Sequence, residues 1–404
     1  MIVQHRVFLL FSKNVFGMKN VVYFLLLAFS AQAQQPFVPV FTSGTEGHKT
    51  YRIPAIIQNK QGHLLAFAEG RVHGSGDYGD INIVLKTSRD HGRTWSALQT
   101  LVDYDALQAG NPTPVLDASD PRFPKGRIFL FYNTGNNHEN EVREGKGLRE
   151  VWYKTSTDGG ISWSAAVNIT HQVHRPNQPP SYSFQEDWRH YANGPGHALQ
   201  FTQGPQAGRI LVAANHSEGP RGARGSDYRA HTFYTDDHGD TFHIGASISI
   251  PGSNESSAAE ISGGRLMMNI RNQRGDIRQR IVGISPDGGE SWSETYFDAQ
   301  LPDPVCEGSI LTIGTQKRKN ILAFSNAADP KRRDQLTLRI SFDDGKTWPT
   351  SILIAKGETE EDVKHDFAAY SDLVMVNKRT VGILYERNNY QQIVFSAIPW
   401  KKAP

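Results

Sequence analysis

Ser88-Arg89-Asp90-His91-Gly92-Arg93-Thr94-Trp95 is the first of five segments that follow one pattern, Ser/Thr-x-Asp-x-Gly-x-x-Trp/Phe. The other four begin at Ser156, Thr235, Ser285 and Ser341. The Ser/Thr and Asp side chains can hydrogen-bond nearby backbone amides, the Gly adopts conformations closed to other residues, and the final aromatic ring can anchor the turn in a core. These five segments, here called Asp-boxes, predict hairpin turns at equivalent places in successive β-units.

The segments between the Asp-boxes contain short runs typical of strands. His63–Ala68, Arg127–Tyr132 and Val381–Tyr385 are examples, rich in β-branched or aromatic residues and bounded by Gly, Pro, Asn or Asp. Long amphipathic helical patterns are absent from the sequence. Four-stranded blades arranged radially satisfy this pattern and protect most strand edges. Residues 34–404 are long enough for six or more blades of roughly 40–60 residues, so we expect a single all-β domain, a β-propeller of four-stranded antiparallel blades.

Composition excludes some functions and leaves others open. The chain has 404 residues, 38% of them hydrophobic, and a net charge of only +2, which gives no general argument for a nucleic-acid partner. Cys306 is the only cysteine, so no intrachain disulfide can form. A lone cysteine is more often a small buried hydrophobe than a nucleophile, although both roles stay open here.

The first 33 residues differ from the rest of the chain. Lys19 precedes an apolar run, Val21–Phe29, and Ala31-Gln32-Ala33 fits a small-x-small cleavage site. This pattern predicts a secretory signal peptide cleaved near Ala33, with Met18 as an alternative start. The alternative is a membrane anchor, but the apolar run is short for a bilayer. We therefore expect a secreted or periplasmic protein without stable membrane insertion.

A charged constellation near the start of the chain is more specific. Tyr51-Arg52-Ile53-Pro54 is followed by Arg71–Ile81, a segment that contains Asp77 and Asp80. Together with the five Asp-boxes, these motifs resemble bacterial exo-α-sialidases (neuraminidases), and the similarity extends over nearly the whole chain after the first 33 residues. The resemblance implies a six-bladed propeller and a glycoside of sialic acid as substrate.

Three arginines match the family's carboxylate-binding residues. Sialic acid carries a carboxylate on its anomeric carbon, and the planar guanidinium group binds a carboxylate better than an ammonium group does. The resemblance assigns this role to Arg52, Arg271 and Arg333. The last assignment competes with its neighbours Arg332 and Arg339, and any one of these arginines alone would be interpreted as a solvated surface charge.

The catalytic assignments also follow the resemblance. Asp77 matches the family's acid/base, with Asp80 as the close competitor. Tyr370 matches the family's nucleophile. A neutral tyrosine suits this role, because a carboxylate nucleophile would be repelled by the carboxylate that the anomeric carbon already bears. Glu260 matches the base that removes the tyrosine proton. Without the family match, Tyr370 would be interpreted as a core aromatic and Glu260 as a surface carboxylate.

Three further residues complete the predicted site. Arg71 matches a substrate-binding position, Asp117 matches a position lining the pocket for the acyl-amino group, and Glu386 is placed to orient Arg52 by a charge-assisted pair. The histidines show no metal-ligand spacing, the Asp-boxes lack calcium-loop spacing, and no dinucleotide fingerprint occurs, so we expect no metal or cofactor.

The predicted function is a retaining exo-α-sialidase that removes terminal sialic acid from glycoproteins, glycolipids or oligosaccharides. The protein is expected to be a monomer. A trans-sialidase, including an intramolecular one, is the enzymatic alternative, because it would use the same residues in direct contact with the sugar. A propeller that binds sialosides without turnover is the non-enzymatic alternative. Linkage preference and the preference for N-acetyl or N-glycolyl groups stay open at this stage.

Overall fold

The protein structure, a computed structural model, describes residues 35–401 and is built almost entirely of β-strands. The predicted all-β class and propeller arrangement are confirmed. The signal peptide predicted for residues 1–33 lies outside the described residues. Within residues 35–401, no helix combines the length and the apolar character needed to cross a membrane.

The strands form five main sheets, numbered here in chain order. β1 (Val38–Thr42) belongs to the last of them. Sheet 1 contains β2 (Thr50–Gln58), β3 (Leu64–Arg71), β4 (Ile81–Ser88), β5 (Gln99–Val102), β6 (Gln108–Asp117), β7 (Arg127–Gly135), β8 (Arg149–Ser156) and β9 (Val167–Asn168). A small hairpin, β10 (Asn177–Gln178) and β11 (Tyr182–Ser183), precedes sheet 2, which contains β12 (Trp188–Asn193), β13 (Leu199–Gln200), β14 (Ile210–Glu218), β15 (Tyr228–Thr235) and β16 (His243–Ile244).

The remaining three sheets have four strands each. Sheet 3 contains β17 (Ser253–Ile261), β18 (Arg265–Asn272), β19 (Gln279–Ser285) and β20 (Glu294–Pro302). Sheet 4 contains β21 (Gly308–Gln316), β22 (Lys319–Ala327), β23 (Leu336–Ser341) and β24 (Thr350–Ala355). Sheet 5 contains β25 (Ala368–Asn377), β26 (Thr380–Arg387), β27 (Gln392–Pro399) and β1. Two short α-helices, α1 (Glu139–Arg143) and α2 (Thr170–Val173), and two 3₁₀ turns lie between strands.

The number of separate blades differs from the prediction. Four sheets (sheets 2 to 5) have the form of a single blade, where six separate blades were expected. The other eight strands form the continuous sheet 1, in which two antiparallel groups, β2–β5 and β6–β9, are joined by one parallel pairing between Ile81 and Gln108. This pairing merges two blade-like groups, and the turn pattern in the sequence carries no signal for it.

The sheets surround an axis that is lined by their first strands. β2 contacts both β6 and β25, and β17 and β25 each contact β21, while β12 and β13 contact β6 and β14 contacts β17. The ring closes where β1 pairs with β27, with Phe41 opposite Ile393. Pairing the first described strand with the last one closes the ring within the described residues.

A buried carboxylate ties four of the sheets together at the axis. Asp372 on β25 accepts hydrogen bonds from the backbone N–H of Ile56 at 2.8 Å, the hydroxyl of Ser309 at 2.8 Å and the backbone N–H of His197 at 3.0 Å. His197 Nδ1 lies 2.7 Å from the same carboxylate. Burial lowers the pKa of His197, but the charge of Asp372 outweighs it and raises that pKa. The pair thus fixes sheets 1, 2, 4 and 5 against one another.

The Asp-boxes have the predicted turn geometry. Ser88 Oγ donates to Asp90 Oδ1 and accepts from the backbone N–H of Gly92, both at 2.8 Å. The third box keeps the same bonds with Thr235 in place of Ser, and its Phe242 is buried, so neither change removes the turn. The Asp-box carboxylates accept hydrogen bonds from groups within their own turns, which fits a structural role.

Candidate active site

The first strands of the sheets carry irregularities at the end where the candidate site lies. The register shifts between Arg52 and Ala55 on β2, and comparable shifts occur near the starts of β6, β17 and β25. Ile53 has a φ of 56° and precedes Pro54, which has no N–H to leave unpaired. Bulges of this kind re-aim side chains beside active sites, so the strand starts are where functional residues should be sought.

Three functional side chains occupy the same position in their strands. Arg52, Glu255 and Tyr370 are each the third residue of a first strand, on β2, β17 and β25. They line one pocket together with Asp77. The further lining residues are Ile53, Glu69, Arg71, Gln108, Asn111, Glu139, Arg149, His190, Ala192, Asn254, Arg271, Gln273 and Arg333.

All three predicted arginines line this pocket. Arg52 is held by Glu386, with Nε–Oε1 at 2.9 Å and Nη2–Oε2 at 3.1 Å, which is the charge-assisted pair expected for Glu386. Burial lowers the pKa of Arg52, but the charge of Glu386 outweighs it and raises that pKa. The competitors for the third position lie elsewhere: Arg332 pairs with acidic neighbours, and Arg339 donates to an asparagine on β22.

The other two arginines surround Tyr370. Arg271 Nη1 donates to the Tyr370 hydroxyl at 2.8 Å and lies 2.5 Å from Glu255 Oε2. Arg333 lies over the ring of Tyr370, 5.5 Å from its centroid, and donates to the Tyr390 hydroxyl at 3.1 Å. Fixed positive charge therefore lies on two sides of the tyrosine, where an anionic ligand could be held.

Tyr370 and Glu255 form a buried donor–acceptor pair. The Tyr370 hydroxyl donates to Glu255 Oε1 at 2.6 Å and lies 2.8 Å from Oε2. Burial raises the pKa of Tyr370 well above its ordinary value, the charge of Glu255 raises it further, and Arg271 and Arg333 act in the opposite direction. The geometry is that of a nucleophile whose proton has an acceptor already in contact with it.

The prediction of Glu260 as the partner of Tyr370 is wrong. Glu260 is the eighth residue of β17, five residues beyond Glu255, which is about 16 Å at the usual rise of a strand. Its carboxylate instead accepts hydrogen bonds from the backbone N–H and hydroxyl of Thr202, at 2.9 and 2.7 Å, and from the N–H of Gln203 at 2.8 Å. Glu260 therefore holds a loop at the other end of the strand.

Asp77 faces the pocket from the loop between β3 and β4. Arg71 Nη1 donates to Asp77 Oδ1 at 2.7 Å, and Arg52 Nη1 lies 3.7 Å from the same oxygen. Burial raises the pKa of Asp77, but the charges of Arg71 and Arg52 have a larger opposite effect, so this pKa lies below its ordinary value. The side chain itself is 64% exposed. The competitor Asp80 lies 3.8 Å from His73 and does not line the pocket.

The prediction that Asp117 lines the pocket is also wrong. Asp117 is the last residue of β6, while Gln108 at the start of this ten-residue strand lines the pocket. The carboxylate oxygens of Asp117 accept hydrogen bonds from the backbone N–H of Ser119 at 3.0 Å and from Gln200 Nε2 at 2.7 Å. His238 Nδ1 lies 2.8 Å from the same carboxylate. Asp117, Asp120 and His238 lie close enough together to hold a cation, but protein donors already satisfy these carboxylates.

Cys306 is part of the wall behind the tyrosine. Its side chain is buried in a small apolar cluster with Ile53, Ala369 and Tyr370. Burial raises the pKa of the Cys306 thiol to about 12. A thiol that stays protonated is a poor nucleophile, so the geometry supports the role of a small core residue.

Sequence reasoning missed Glu255 and three further lining residues, Gln108, Arg149 and His190. A positional signal could have found Glu255, because Arg52 and Tyr370 both stand third in their strands and Glu255 does so in β17. Gln108 and Arg149 come from sheet 1, and His190 comes from sheet 2. No motif in the sequence marked these three residues.

A cluster of buried histidines lies in sheet 2 and the segment before it. Its members are His174, His190, His216 and His231. Burial is the main reason that the pKa values of all four lie well below 6.5. Neither ring nitrogen of His174 has a hydrogen-bond partner among the described residues, and its ring packs 4.6 Å from that of Tyr191. These side chains are therefore neutral in the folded protein.

The histidine cluster predicts a loss of stability in acid. An unfolded histidine binds a proton below about pH 6.5, whereas the buried neutral ring does not, so the free energy of unfolding falls by about 1.4 kcal/mol per pH unit for each such residue. His174→Leu should reduce the slope of the free energy of unfolding against pH by about 1.4 kcal/mol per pH unit. Urea unfolding between about pH 7.5 and 5 measures this slope. Parallel curves for the wild type and the variant would contradict the neutral state of His174.

Comparisons with known proteins agree with the all-β repeat architecture. Residues 62–383 match the family described as BNR repeat-like domain. A sialidase of Micromonospora viridifaciens is 32% identical over 367 residues, covering 85% of this chain and 51% of the relative. A sialidase of Bacteroides fragilis is 26% identical over 390 residues, covering 90% and 64%. The chain thus spans between about half and two thirds of the length of these relatives.

A solved structure shows the same fold. The Hadza microbial sialidase Hz136 superposes with a TM-score of 0.73 and 25% sequence identity, covering 90% of this chain and 68% of the other. The family match spans most of the described residues and includes all five Asp-boxes. This chain therefore belongs to the BNR repeat-like family, and the relatives to which it is similar are sialidases.

Proposed function

We propose that this protein is an exo-α-sialidase that hydrolyses the glycosidic bond of terminal sialic acid through a tyrosine nucleophile. The observation that carries the proposal is the contact of the Tyr370 hydroxyl with both Glu255 and Arg271 in a pocket that Arg52 and Arg333 also line. The family membership supports the same reaction class.

The arginines would bind the carboxylate on the anomeric carbon. Each guanidinium group offers planar N–H donors that suit a carboxylate, and buried charges lose little strength to solvent screening. The buried pair with Glu386 holds Arg52 in place before the ligand arrives, so less conformational freedom is lost on binding. Binding the carboxylate would place the anomeric carbon beside the Tyr370 hydroxyl.

The first chemical step forms a bond between Tyr370 Oη and the anomeric carbon. The tyrosine proton passes to Glu255, the bond from the anomeric carbon to the leaving oxygen breaks, and Asp77 donates its proton to that oxygen. A water molecule then attacks the anomeric carbon, giving its proton to Asp77, while the bond to Tyr370 breaks and Glu255 returns the proton to it. Two displacements at one carbon retain its configuration.

The protonation of Asp77 depends on the bound substrate. The charges of Arg71 and Arg52 hold the pKa of Asp77 low in the free protein, which favours the ionised form. A carboxylate on the arginines would neutralise part of that positive charge, and the sugar would shield an exposed side chain from water. Both changes raise the pKa of an aspartate, so Asp77 becomes a general acid only in the complex.

Hydrolysis of aryl α-sialosides by the purified protein tests the proposal. Asp77→Ala should lower kcat/KM by about 100-fold for a substrate whose leaving group is a poor one, because such a group needs the proton. The loss should shrink markedly for a nitrophenyl leaving group, which departs without a proton. The measurement is initial-rate kinetics on the two substrates.

Asp80→Ala is the matched control for this loop. Asp80 lies in the same segment but outside the pocket, so its removal should leave the ratio between the two substrates unchanged. An equal loss on both substrates in Asp77→Ala would contradict proton donation by Asp77. No hydrolysis of any sialoside by the wild-type protein would refute the proposed function itself.

A further inference from the structure

A groove of about 480 Å³ adjoins the candidate active site, and two residues, Glu139 and Gln273, line both. Its walls come from three connections: α1 with the residue before it in sheet 1, the loop between β14 and β15 in sheet 2, and the turn between β18 and β19 in sheet 3. The mechanism above gives this groove no role. It contains four arginines, which are Arg143, Arg221, Arg224 and Arg274.

Two of these arginines have carboxylate partners within the protein. Arg143 is buried and forms a bidentate pair with Asp227, with Nη2–Oδ1 at 2.6 Å and Nε–Oδ2 at 2.9 Å. Arg274 Nη2 lies 2.9 Å from Asp276 Oδ2. Each carboxylate offsets the charge of its arginine, so these two pairs leave little net charge for a ligand.

The other two arginines, Arg221 and Arg224, keep their full charge. Both side chains are exposed, and within residues 35–401 neither has a carboxylate within ion-pair distance or a hydrogen-bond partner. Like charges that share one concave surface repel one another, and a bound anion would remove that repulsion. The groove therefore has the electrostatic character of an anion-binding surface.

The loop that carries Arg221 and Arg224 is held in a defined shape. Arg224 has a φ of 51°, a left-handed conformation that costs free energy for a residue with a side chain. Gly225 packs so closely on the neighbouring turn that a Cβ atom on it would lie 2.7 Å from Gln273 Cγ. The backbone of the loop is thus fixed before a ligand arrives, so less conformational freedom is lost on binding.

Glu139 is the acidic residue that lines this groove, and it stands at the boundary with the active site. Its carboxylate accepts a hydrogen bond from the Tyr228 hydroxyl, and its charge acts on Arg149, which lines the active-site pocket. The two unpaired guanidinium groups of Arg221 and Arg224 outnumber this single carboxylate. An anion in the groove therefore meets net positive charge.

The groove lies beside the path of the leaving group. Asp77, the proposed acid, must contact the leaving oxygen in order to protonate it. The hydroxyl of the next residue, Tyr78, donates to the backbone carbonyl of Asn136 at 2.9 Å, which holds the loop of the acid against the segment that leads into α1. Residues 138–140 of that segment line the groove. A saccharide that leaves past Asp77 therefore lies next to the groove.

One oligosaccharide can reach both the active site and the groove. Arg271, which contacts the Tyr370 hydroxyl, precedes Arg274 by three residues, so the Cα atoms of the two arginines are no more than about 11 Å apart. Long arginine side chains on both sides shorten the gap between their ligands further. Two acidic groups on adjacent sugars of one chain can therefore be bound at the same time.

We propose that Arg221 and Arg224, with Arg274, form a subsite for an anionic group on the saccharide leaving group. This proposal rests on the proposed sialidase function and names its substrate class, which is glycans whose terminal sialic acid is attached to a second acidic sugar, such as another sialic acid. The carboxylate of the second sugar suits the planar N–H donors of the guanidinium groups. A neutral leaving group leaves the charge of the groove unbalanced.

The size of the preference follows from the exposure of the arginines. An exposed ion pair changes affinity by a few-fold at most, so two of them should favour the acidic leaving group in kcat/KM by about five- to tenfold at low salt. The groove contacts a part of the substrate that does not react, so the preference should appear in KM. Salt screens exposed charges, so raising NaCl from about 0.05 M to about 0.5 M should remove most of the preference.

The test compares two disialyl saccharides that differ only at the inner carboxylate, which is free in one and converted to a carboxamide in the other. In the double variant Arg221→Gln and Arg224→Gln, the ratio of the two kcat/KM values should fall toward one. The double variant Arg89→Gln and Arg93→Gln is the matched control, because it removes the same charge from two exposed arginines. Both follow the end of β4 that is remote from Arg71 and the pocket, so the wild-type ratio should persist.

A third pair of substrates tests whether the anion belongs to the cleaved sugar instead. These are sialosides with one neutral leaving group, with or without a sulfate ester on the glycerol side chain of the sialic acid. A preference for the sulfated member that is larger than the preference for the free disialyl acid would overturn the assignment to the leaving group.

A ratio near one for the wild-type protein at low salt would overturn the subsite, and this result does not depend on any variant folding. A ratio that the Arg221 and Arg224 substitutions leave unchanged would overturn it as well. If no sialoside is hydrolysed, the proposed function fails, and calorimetry with the two disialyl saccharides then decides the subsite. It is overturned unless the free acid binds the wild-type protein more tightly than the amide does and the double variant loses this difference.

Discussion

Replacing Tyr370 with phenylalanine is expected to lower kcat for an aryl α-sialoside by about 1,000-fold, because the variant keeps the ring but loses the attacking oxygen. The pocket should survive the change. Arg52 keeps its bidentate pair with Glu386, and Arg271 keeps its contact with Glu255. KM should therefore change much less than kcat. Initial-rate kinetics give both quantities, and rapid acid quenching during turnover should show a sugar-mass adduct on the wild-type peptide that contains Tyr370.

Tyr132→Phe is the control for removing a buried phenol. Tyr132 is fully buried in sheet 1, and its hydroxyl contacts that of Tyr104 at 3.0 Å, outside the pocket. This variant should retain wild-type kinetics, even if its stability falls. Wild-type kcat in Tyr370→Phe, or an adduct on a different peptide, would rule out Tyr370 as the nucleophile.

Much of the architecture could be predicted from short-range signals. The Asp-boxes are local turns, and each turn is fully specified by hydrogen bonds among residues within one segment, as Ser88, Asp90 and Gly92 show. The merging of two strand groups into sheet 1 was not predictable in this way. It depends on one pairing, between Ile81 and Gln108, that joins segments on opposite sides of a turn and a short strand.

The candidate site also contains residues that local motifs identify and residues that they do not. Arg52, Asp77 and Tyr370 stand in motifs that could be matched, whereas Glu255 and Glu260 are two glutamates of one strand that no motif separates. Only the direction of β17 relative to the pocket decides between them. Arg149 was beyond sequence reasoning for a stronger reason, because its position depends on the absence of a side chain at Gly135, which pairs with Gln108 on one side and with Arg149 on the other.

The two glutamates of β17 should respond in opposite ways to the same substitution. Glu255→Gln is expected to lower kcat by about 100- to 1,000-fold, because the tyrosine proton loses its acceptor. Glu260→Gln should leave kcat unchanged and lower the free energy of unfolding by about 1 kcal/mol, because the amides of Thr202 and Gln203 then donate to an uncharged group. Kinetics and urea unfolding on both variants measure the contrast.

The pH dependence of the Glu255→Gln variant separates loss of a base from loss of structure. The charge of Glu255 raises the pKa of Tyr370, while Arg271 and Arg333 act to lower it. Without that negative charge the pKa of Tyr370 falls, and hydroxide in alkaline solution can remove the proton that Glu255 would have taken. For a nitrophenyl sialoside, whose leaving group needs no proton from Asp77, the residual kcat should therefore rise steadily with pH in the variant. A flat residual activity, together with a large loss in Glu260→Gln, would instead return the role of base to Glu260.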